Sequence, residues 1–397
     1  MISSLATPIG SRSALAAASA ATLYLDANAT EPLRPEARAA VLAALDLGAN
    51  PSAVHAAGRA ARRMLETARE ALAERFGARP QDVVFTAGGT EADALAIHGL
   101  GRGRRVLAGA TEHPAVLAAA SSAALAAAPT GALAAAPIPV RPDGTVDLAA
   151  LAVLLAGGGP ALVCLMAANN ETGVRHPLAE VAALCRRHGA LLHVDAVQAA
   201  GRLPLTLAAT GADTLALSGH KLGGSAGAGA LLQRPGLELP ALIAGGGQER
   251  GRRGGTEALP AIAGLAAAAL AAEPAAAVRL VALRDRIEAG VRALAPDAVI
   301  AGDGAPRLPN TTCIVLPGVA AETQVIALDL MGVRVSAGAA CSSGKVARSA
   351  VLEAMGFGAA AGCGLRVSLP WDAPEDAPER FLDAWAAMRR RLSKTAA

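Results

Sequence analysis

The middle of the chain alternates short apolar runs with longer amphipathic segments. The apolar runs, at residues 82–85, 161–166, 191–194 and 214–217, are nearly continuous, which is typical of strands buried on both faces. Amphipathic segments at 59–76 and 177–188, and an Ala/Leu-rich segment after Gly89, predict helices between them. The alternation predicts an α/β fold with a largely parallel sheet covered by helices on both faces.

A second, smaller unit is predicted toward the C-terminus. A helical stretch at 259–292, interrupted near Pro274, leads to a strand at 312–316, a helix at 322–331 and a strand at 365–368. We expect a large domain over residues 22–272, whose first strand is free to pack on a small C-terminal domain over 273–397. Residues 1–21 are Ala/Ser-rich with Arg12 as the only charged side chain, which favours a disordered extension over an arginine-rich transit peptide.

Composition narrows the functional classes. Hydrophobic residues make up 53% of the chain but aromatic residues only 2%, so alanine carries the hydrophobicity. The uncharged stretch 115–140 contains prolines and mostly alanine, and it predicts a short helix, a turn and a strand, not a membrane span. A net charge of +3 without a long basic block gives no support for nucleic-acid binding. Five widely spaced cysteines without a C-x-x-C pair argue against disulfides or a zinc site and favour a reducing, cytoplasmic setting.

Polar side chains follow several predicted strands at the point where each strand ends. Thr90, Asn170, Asp195 and the segment 218–221 all occupy such positions, and functional groups cluster at the carboxyl ends of parallel strands. Lys221, in Ser-Gly-His-Lys, is one of only three lysines in the chain. A strand-end carboxylate and a lysine on a later turn are what a pyridoxal-phosphate (PLP) enzyme needs, for the pyridinium nitrogen and the Schiff base respectively.

Each of these candidates also has an ordinary structural interpretation. Lys221 would by default be a surface lysine, and Asp195 a locally satisfied strand-end carboxylate. Gly89 and Thr90 form either a turn capped by threonine or a phosphate site at the start of a helix. Ser218 and His220 supply a second set of donors, which favours the phosphate site.

Further candidates come from single histidine, glutamine and arginine residues. His113 is either a helix-start residue or a group that stacks on a cofactor ring and moves protons near neutral pH. Gln198, three residues after Asp195, is placed to bond the phenolic oxygen of the ring. Arg366 forms either a surface ion pair or a fork for a substrate carboxylate. His55 is assigned a structural or substrate-loop role.

Cys341 is the candidate nucleophile among the cysteines. Two glycines and three serines lie within five positions of it, which predicts a mobile, exposed loop where a thiol can react. The alternative is a small buried hydrophobic residue. The other four cysteines, Cys164, Cys185, Cys313 and Cys363, are expected to be structural, and no intrinsic metal site is expected.

Taken together, these residues resemble the cysteine desulfurases of the NifS/IscS type, in the class V branch of the fold-type I PLP-dependent enzymes. Matching segments follow in order from about Leu23 to about Leu392. They lie at 24–26, 50–52, 89–93, 111–113, 169–173, 193–195, 218–221, 245–250, 255–256 and around Cys341. The resemblance implies a fold-type I transferase, with a large domain around a mostly parallel sheet and a smaller α+β C-terminal domain.

The resemblance also implies roles by position. Lys221 would be the Schiff-base lysine, and Cys341 would receive the sulfur. The residues around PLP would be Gly89, Thr90, His113, Asn170, Asp195, Gln198, Ser218 and His220. Asn170 and Arg366 would hold the substrate carboxylate, and Thr256 would reach the phosphate of the partner subunit in a homodimer.

The implied activity is the removal of sulfur from L-cysteine, which gives L-alanine and a persulfide on Cys341. The sulfur would pass to an iron–sulfur scaffold or another acceptor protein, and Cys341 is a candidate transient iron–sulfur ligand in such a complex. Alternatives are a selenocysteine lyase, a class V aminotransferase or a degenerate, non-enzymatic homologue. One departure from the family pattern is Glu31, where the family usually has threonine.

Overall fold

The computed structural model describes residues 22–127, 135–338 and 348–395. Cys341 and the predicted extension at 1–21 therefore lie outside the described residues. The first element of the described chain is a short strand, β1 (Leu23–Tyr24). The next strands are β2 (Val83–Thr86), β3 (Arg105–Gly109), β4 (Ala136–Ile138), β5 (Ala161–Met166), β6 (Leu191–Asp195), β7 (Thr214–Ser218) and β8 (Gly229–Gln233).

Strands β2 to β8 form one seven-stranded sheet in the order β2-β8-β7-β6-β5-β3-β4. Strand β8 runs antiparallel to both neighbours, and the other adjacent pairs are parallel. Alternate residues of a strand enter separate hydrophobic clusters; in β5, Val163 and Leu165 belong to one, and Leu162 and Cys164 to the other. The sheet is buried on both faces, and the predicted α/β fold class is confirmed.

Helices cover both faces of this sheet. The helices along the described chain are α1 (Pro35–Leu47), α2 (Ala56–Phe76), α3 (Gly89–Leu100), α4 (Pro114–Ala127), α5 (Leu148–Ala156), α6 (Leu178–Arg187), α7 (Leu207–Thr210), α8 (Leu259–Ala271), α9 (Ala277–Leu294), α10 (Ala321–Asp329), α11 (Ala350–Ala354) and α12 (Ala377–Thr395), of which the last four belong to the C-terminal unit. Helices α3 and α4 pack on one face, and α1, α2, α5, α6 and α8 on the other. The stretch 115–140 contains most of α4 and then β4, in the predicted order.

Helix α2 illustrates how the sequence determines the buried face and the ends of a helix. Its buried side chains recur every three or four residues, at Ala61, Leu65, Ala68, Leu72 and Phe76. The residue before the helix is His55, whose ring accepts the N–H of Gly58 at 3.2 Å, and the residue after it is Gly77, which takes a left-handed φ of 68°. His55 therefore has a structural role as a helix cap.

The C-terminal part of the chain builds a second sheet from β9 (Val299–Ile300), β10 (Thr311–Val315), β12 (Ser336–Ala337) and β13 (Gly364–Ser368). This sheet is antiparallel, in the order β12-β13-β10-β9. Strand β11 (Val333–Arg334) pairs in parallel with β1. Leu23 and Leu25 share a hydrophobic cluster with residues of α9, β10 and α12. The first strand thus packs on the C-terminal unit, and the domain boundary at 272/273 stays a prediction.

No single helix within the described ranges is both long enough and apolar enough to cross a membrane, although α8 and the stretch Pro274–Leu294 meet that test as a pair bent by 60°.

Candidate active site

A cavity of about 750 Å³ lies at the carboxyl ends of β5, β6 and β7. Its wall includes ten residues that the sequence singled out: Gly89, Thr90, His113, Asn170, Asp195, Gln198, Ser218, His220, Lys221 and Arg366. Asp195 is the last residue of β6 and Ser218 the last residue of β7. Parallel strands therefore bring these side chains to one edge of the sheet, as expected.

Two further predicted residues do not belong to this described wall. Thr256 is exposed, in the loop before α8, and does not line the cavity of its own chain. Cys341 lies outside the described residues, although Ser336, five residues before it, lines the cavity.

Lys221 follows β7 on a short 3-10 turn and is only partly exposed, so it is not an ordinary surface lysine. Its ammonium donates to the backbone carbonyls of Asn28 at 2.6 Å and Ala29 at 2.9 Å. Burial, reinforced by two nearby arginine guanidinium groups, lowers the pKa of Lys221 to about 8. An amine with this pKa loses its proton far more readily than an ordinary lysine, as Schiff-base formation requires.

Asn28 is a buried residue at the centre of the site that the sequence reasoning missed. Its carbonyl accepts from both Lys221 and Gln198, and its side chain donates to the Asn170 carbonyl at 3.0 Å and to Thr311 at 2.9 Å. It thereby ties the segment after β1 to both sheets. The sequence feature that could have indicated this role is an uncharged polar residue, asparagine, in the short segment between β1 and the first helix.

Asp195 is a buried carboxylate whose Oδ1 accepts the N–H of Val197 at 2.9 Å. Burial raises the pKa of Asp195 to about 7, and the nearby Asp93 carboxylate contributes in the same direction. An opposite charge beside a carboxylate favours its ionised form. A cationic ring nitrogen in the cavity would therefore reverse this shift, which suits Asp195 to pair with such a group.

Asp93 and His193 form a buried pair beside Asp195. His193 Nε2 lies 3.1 Å from Asp93 Oδ1, and Nδ1 lies 2.9 Å from Thr214 Oγ1. Burial raises the pKa of Asp93 to about 8 and lowers that of His193 to about 4, so burial disfavours the charged form of each side chain. The sequence analysis assigned no role to either residue. Asp93 could have been found from its spacing, since it lies one turn of α3 after Thr90 and therefore on the same helix face.

His113 is both a helix-start residue and part of the cavity wall. Its Nδ1 accepts the N–H of Ala115 at 3.1 Å at the start of α4, which places the proton of the neutral ring on Nε2. Burial lowers the pKa of His113, and the charge of Lys221 lowers it further, against the opposing effect of Asp195. The ring is therefore neutral near pH 7.

The turn from β2 into α3 offers backbone donors to the cavity. The residue before the helix is Gly88, which has no side chain to cap it, so the alternative of a threonine-capped turn does not hold. The N–H groups of the first turn, at the positive end of the helix, and the exposed Thr90 suit a phosphate. Gly229 lets β8 approach this turn, since a Cβ there would lie 2.5 Å from the Gly88 carbonyl carbon.

Arg366 is buried, so the alternative of a surface ion pair does not hold. Its Nη2 donates to Asp26 Oδ1 at 2.7 Å and its Nη1 to the Asn170 carbonyl at 3.2 Å. Its Nε is buried without a hydrogen-bond partner among the described residues. An anchored guanidinium with a free donor at the cavity wall is suited to an anionic ligand such as a carboxylate.

These groups fit PLP. The lysine with its lowered pKa suits the aldehyde, Asp195 suits the pyridinium nitrogen, and the start of α3 with Ser218 and His220 suits the phosphate. The free Nε of Arg366 remains for the carboxylate of a substrate. The cavity volume of about 750 Å³ lies within the range of roughly 300–1,000 Å³ that small-molecule sites occupy.

The four cysteines in the described part of the chain are buried: Cys164, Cys185, Cys313 and Cys363. Burial raises the pKa of the Cys164 thiol well above its usual range, and raises those of Cys185 and Cys313 to about 12. Because the thiolate is the nucleophilic form, these side chains serve packing, as expected.

Comparisons with known proteins identify the family of this chain. The family model of class-V aminotransferases matches residues 23–377. A cysteine desulfurase from Cereibacter sphaeroides is 44% identical over 342 residues, which cover 84% of this chain and 86% of that protein. An IscS-like cysteine desulfurase from Mycobacterium tuberculosis is 39% identical over 393 residues, covering 94% and 98%. A solved NifS-like protein from Rickettsia africae has a TM-score of 0.83 at 32% identity, covering 93% and 99%.

The fold and the lysine-bearing cavity, with the family match, define a class-V, fold-type I PLP-dependent enzyme. Within that class the chain belongs to the cysteine desulfurase family. The predicted resemblance, enzyme class and cofactor are thereby confirmed.

Proposed function

We propose that this chain removes the sulfur atom of L-cysteine, leaves L-alanine and a persulfide on Cys341, and passes the sulfur to an acceptor protein. The observation that carries the proposal is the placement of Lys221 in one cavity with Asp195 and Arg366. An amine of lowered pKa, a carboxylate for the ring nitrogen and a guanidinium for the substrate are the groups needed for chemistry at the Cα of an amino acid.

Lys221 moves protons in this proposal. PLP, when bound, supplies an aldehyde for the Schiff base and a ring that accepts electrons from the substrate Cα. The Nζ of Lys221 gives up its own proton first, and the neutral amine then takes the Cα proton of L-cysteine. Its pKa of about 8 supports both steps, because an amine accepts a proton only when it is neutral.

Asp195, His113 and Gln198 position the cofactor in the same proposal. Asp195 would stay ionised beside the ring nitrogen of bound PLP and keep that nitrogen protonated. The ring of His113 would stack on the cofactor, with its Nε2 proton available as a donor. The Gln198 carboxamide would donate to the phenolic oxygen of the ring.

Arg366 and Asn170 hold the substrate carboxylate. A hydrogen bond to Asp26 already holds the guanidinium of Arg366 in place. Binding of the carboxylate at the free Nε therefore costs little further side-chain entropy. The Asn170 side chain lies at the same part of the cavity wall. Their contact sets the orientation of the Cα–H bond that Lys221 breaks.

Cys341 takes the sulfur in this proposal. Ser336 lines the cavity, and the five residues from Ser336 to Cys341 span at most about 18 Å. The Cys341 thiolate forms a bond to the substrate sulfur as the substrate C–S bond breaks. The electron pair of that bond stays on the substrate carbon, which takes up a proton, so the products are L-alanine and a protein persulfide. The remaining cysteines, buried in the described residues, leave Cys341 as the available nucleophile.

A second copy of the chain and an acceptor protein complete the proposal. The family resemblance assigns Thr256 to the phosphate of a partner subunit, and its exposed position outside its own cavity wall is compatible with that role. Iron–sulfur cluster assembly, or another sulfur-trafficking route, is the destination of the sulfur. A reducing cytoplasm is the compartment in which the cysteines stay free.

The sulfur step is tested by comparing two cysteine variants. Cys341→Ala should keep the yellow absorbance of bound PLP and lose sulfide release from L-cysteine in the presence of a reductant. Cys185→Ala removes a buried thiol and should keep both. Sulfide release by Cys341→Ala at the wild-type rate would show that Cys341 does not carry the sulfur.

The shared site is tested with mixed dimers. Thr256→Ala and Lys221→Ala chains, each of low activity alone, should regain activity when they are co-expressed. In the mixed dimer one cavity combines an intact Lys221 with an intact Thr256 from the other chain. Absence of any recovery, with mixed dimers isolated by two affinity tags, would contradict the assignment of Thr256.

A further inference from the structure

Glu31 is a buried carboxylate at the position where the family usually has threonine. It is 5% exposed and accepts two hydrogen bonds, from Arg202 Nη2 at 2.8 Å and from the N–H of Trp371 at 2.7 Å. Its partner Arg202 is 7% exposed. Burial of both charges carries a desolvation cost that offsets much of their attraction, so the ion pair contributes little net stability.

Arg202 also holds the side chain of Gln198. Its Nη1 donates to Gln198 Oε1 at 2.6 Å and to the Gln198 carbonyl at 3.0 Å. A guanidinium has only donors, so this contact requires the carboxamide oxygen to face Arg202. On the other side Gln198 Nε2 donates to the Asn28 carbonyl at 3.0 Å, and a carbonyl only accepts. Both neighbours therefore enforce one orientation of the carboxamide.

We propose that the Glu31–Arg202 ion pair is a positioning device that fixes the Gln198 carboxamide with its NH₂ group available to the cofactor. Gln198 lines the cavity, and its Nε2 keeps a second hydrogen beyond the one given to Asn28. That hydrogen is the donor for the phenolic oxygen of PLP, so this inference rests on the proposed function. Glu31 holds the guanidinium by its second nitrogen and balances its charge.

The device acts through the ionisation of the bound cofactor. A donor beside the phenolic oxygen stabilises its anionic form, whereas a carboxamide rotated by 180° would present an oxygen and destabilise it. The pH midpoint of the cofactor's yellow absorbance, measured without substrate, therefore reports the orientation of Gln198. This readout does not depend on turnover.

The test is the double variant Glu31→Gln/Arg202→Met, which removes the pair without changing the net charge. Its pH midpoint should rise by about one pH unit, the size expected when an ionised group loses one hydrogen bond. On a Gln198→Ala background the same pair of substitutions should shift the midpoint by much less. Arg202→Lys, a milder variant that keeps the charge but not the planar fork, should shift it in the same direction by a smaller amount.

A matched control lies elsewhere in the chain. Arg307 and Glu288 form an ion pair with the same side-chain exposures of 7% and 5%, at 2.6 Å, and neither residue lines the cavity. Glu288→Gln/Arg307→Met should lower stability and leave the midpoint unchanged. An unchanged midpoint in the Glu31/Arg202 variants, or an equal shift with and without Gln198, would overturn the inference. Absence of the yellow band in the wild type would overturn the proposed function itself.

Discussion

Replacing Lys221 with methionine should change how the stability of the cofactor-free protein depends on pH. The pKa of Lys221 is about 8 in the folded protein, against an ordinary value of 10.5, with burial as the main cause. Unfolding returns the amine to water and to its ordinary pKa. Between these two values the unfolded state binds more protons than the folded state, so stability rises with pH across this window.

The size of the effect follows from the shift. Each pKa unit corresponds to about 1.4 kcal/mol, so the fall from 10.5 to about 8 penalises folding by about 3 kcal/mol below the folded pKa. The penalty disappears as pH rises to 10.5, and most of it is gone by pH 10. The wild type should therefore gain roughly 2–3 kcal/mol relative to Lys221→Met between pH 7 and pH 10.

Urea unfolding of both proteins at several pH values in this window measures the effect. Other titrating groups are common to the two proteins, so their contributions cancel in the difference. Lys221→Arg is the matched control: its charge does not titrate in this window, so its pH dependence should follow that of the methionine variant. A constant difference between wild type and Lys221→Met would refute the lowered pKa and the readiness of Lys221 to act as a neutral amine.

Four further substitutions have distinct expected outcomes. Arg69→Met should destabilise the protein by about 3–5 kcal/mol in urea unfolding. Arg69 donates two hydrogen bonds of 2.7 Å to the buried carboxylate of Glu249, and the substitution leaves that charge without its ion-pair partner. Arg141→Met, which breaks an exposed ion pair of 2.7 Å, should cost less than about 1 kcal/mol; equal costs would contradict this reasoning. Asp195→Asn should keep PLP bound but lower kcat on the order of 10²–10³-fold, because an amide does not hold the ring nitrogen charged; wild-type kcat would exclude that role. Arg366→Lys should raise KM for L-cysteine more than it lowers kcat, because an ammonium does not reproduce the planar fork; a change in kcat alone would count against it.

The strands that carry the site could be predicted because their apolar runs are continuous. The predicted run 161–166 has the observed bounds of β5, whereas the runs at 191–194 and 214–217 stop one residue short of β6 and β7. The missing residues are Asp195 and Ser218, polar side chains that end the apolar run although the strand continues. The hydrophobic pattern of the sequence therefore locates the site at the strand ends, but it assigns the polar residues of the site to the following loops.

Strand β8 was not predicted, because its beginning belongs to a glycine-rich run that is typical of a loop. The structure explains the glycine: a Cβ at Gly229 would lie 2.5 Å from Gly88 and 2.6 Å from the Leu217 carbonyl oxygen. Close packing against the turn from β2 into α3 thus imposes a residue that weakens the strand signal.

Contacts between distant residues were beyond sequence reasoning. Glu31 stood out only as a departure from a family pattern, and its partner Arg202 lies 171 positions away. Asn28 likewise acts through backbone and side-chain bonds to residues far along the chain. No periodic pattern in a single sequence links positions so far apart. These hydrogen bonds are therefore evident only from the fold.

The measurement that tests the central claim most directly is product analysis with L-cysteine. PLP-loaded protein, L-cysteine and a reductant should give L-alanine and sulfide in equal amounts, and Lys221→Ala should give neither. Formation of a keto acid without sulfide would indicate an aminotransferase. A yellow wild-type protein that makes neither L-alanine nor sulfide would contradict the desulfurase account.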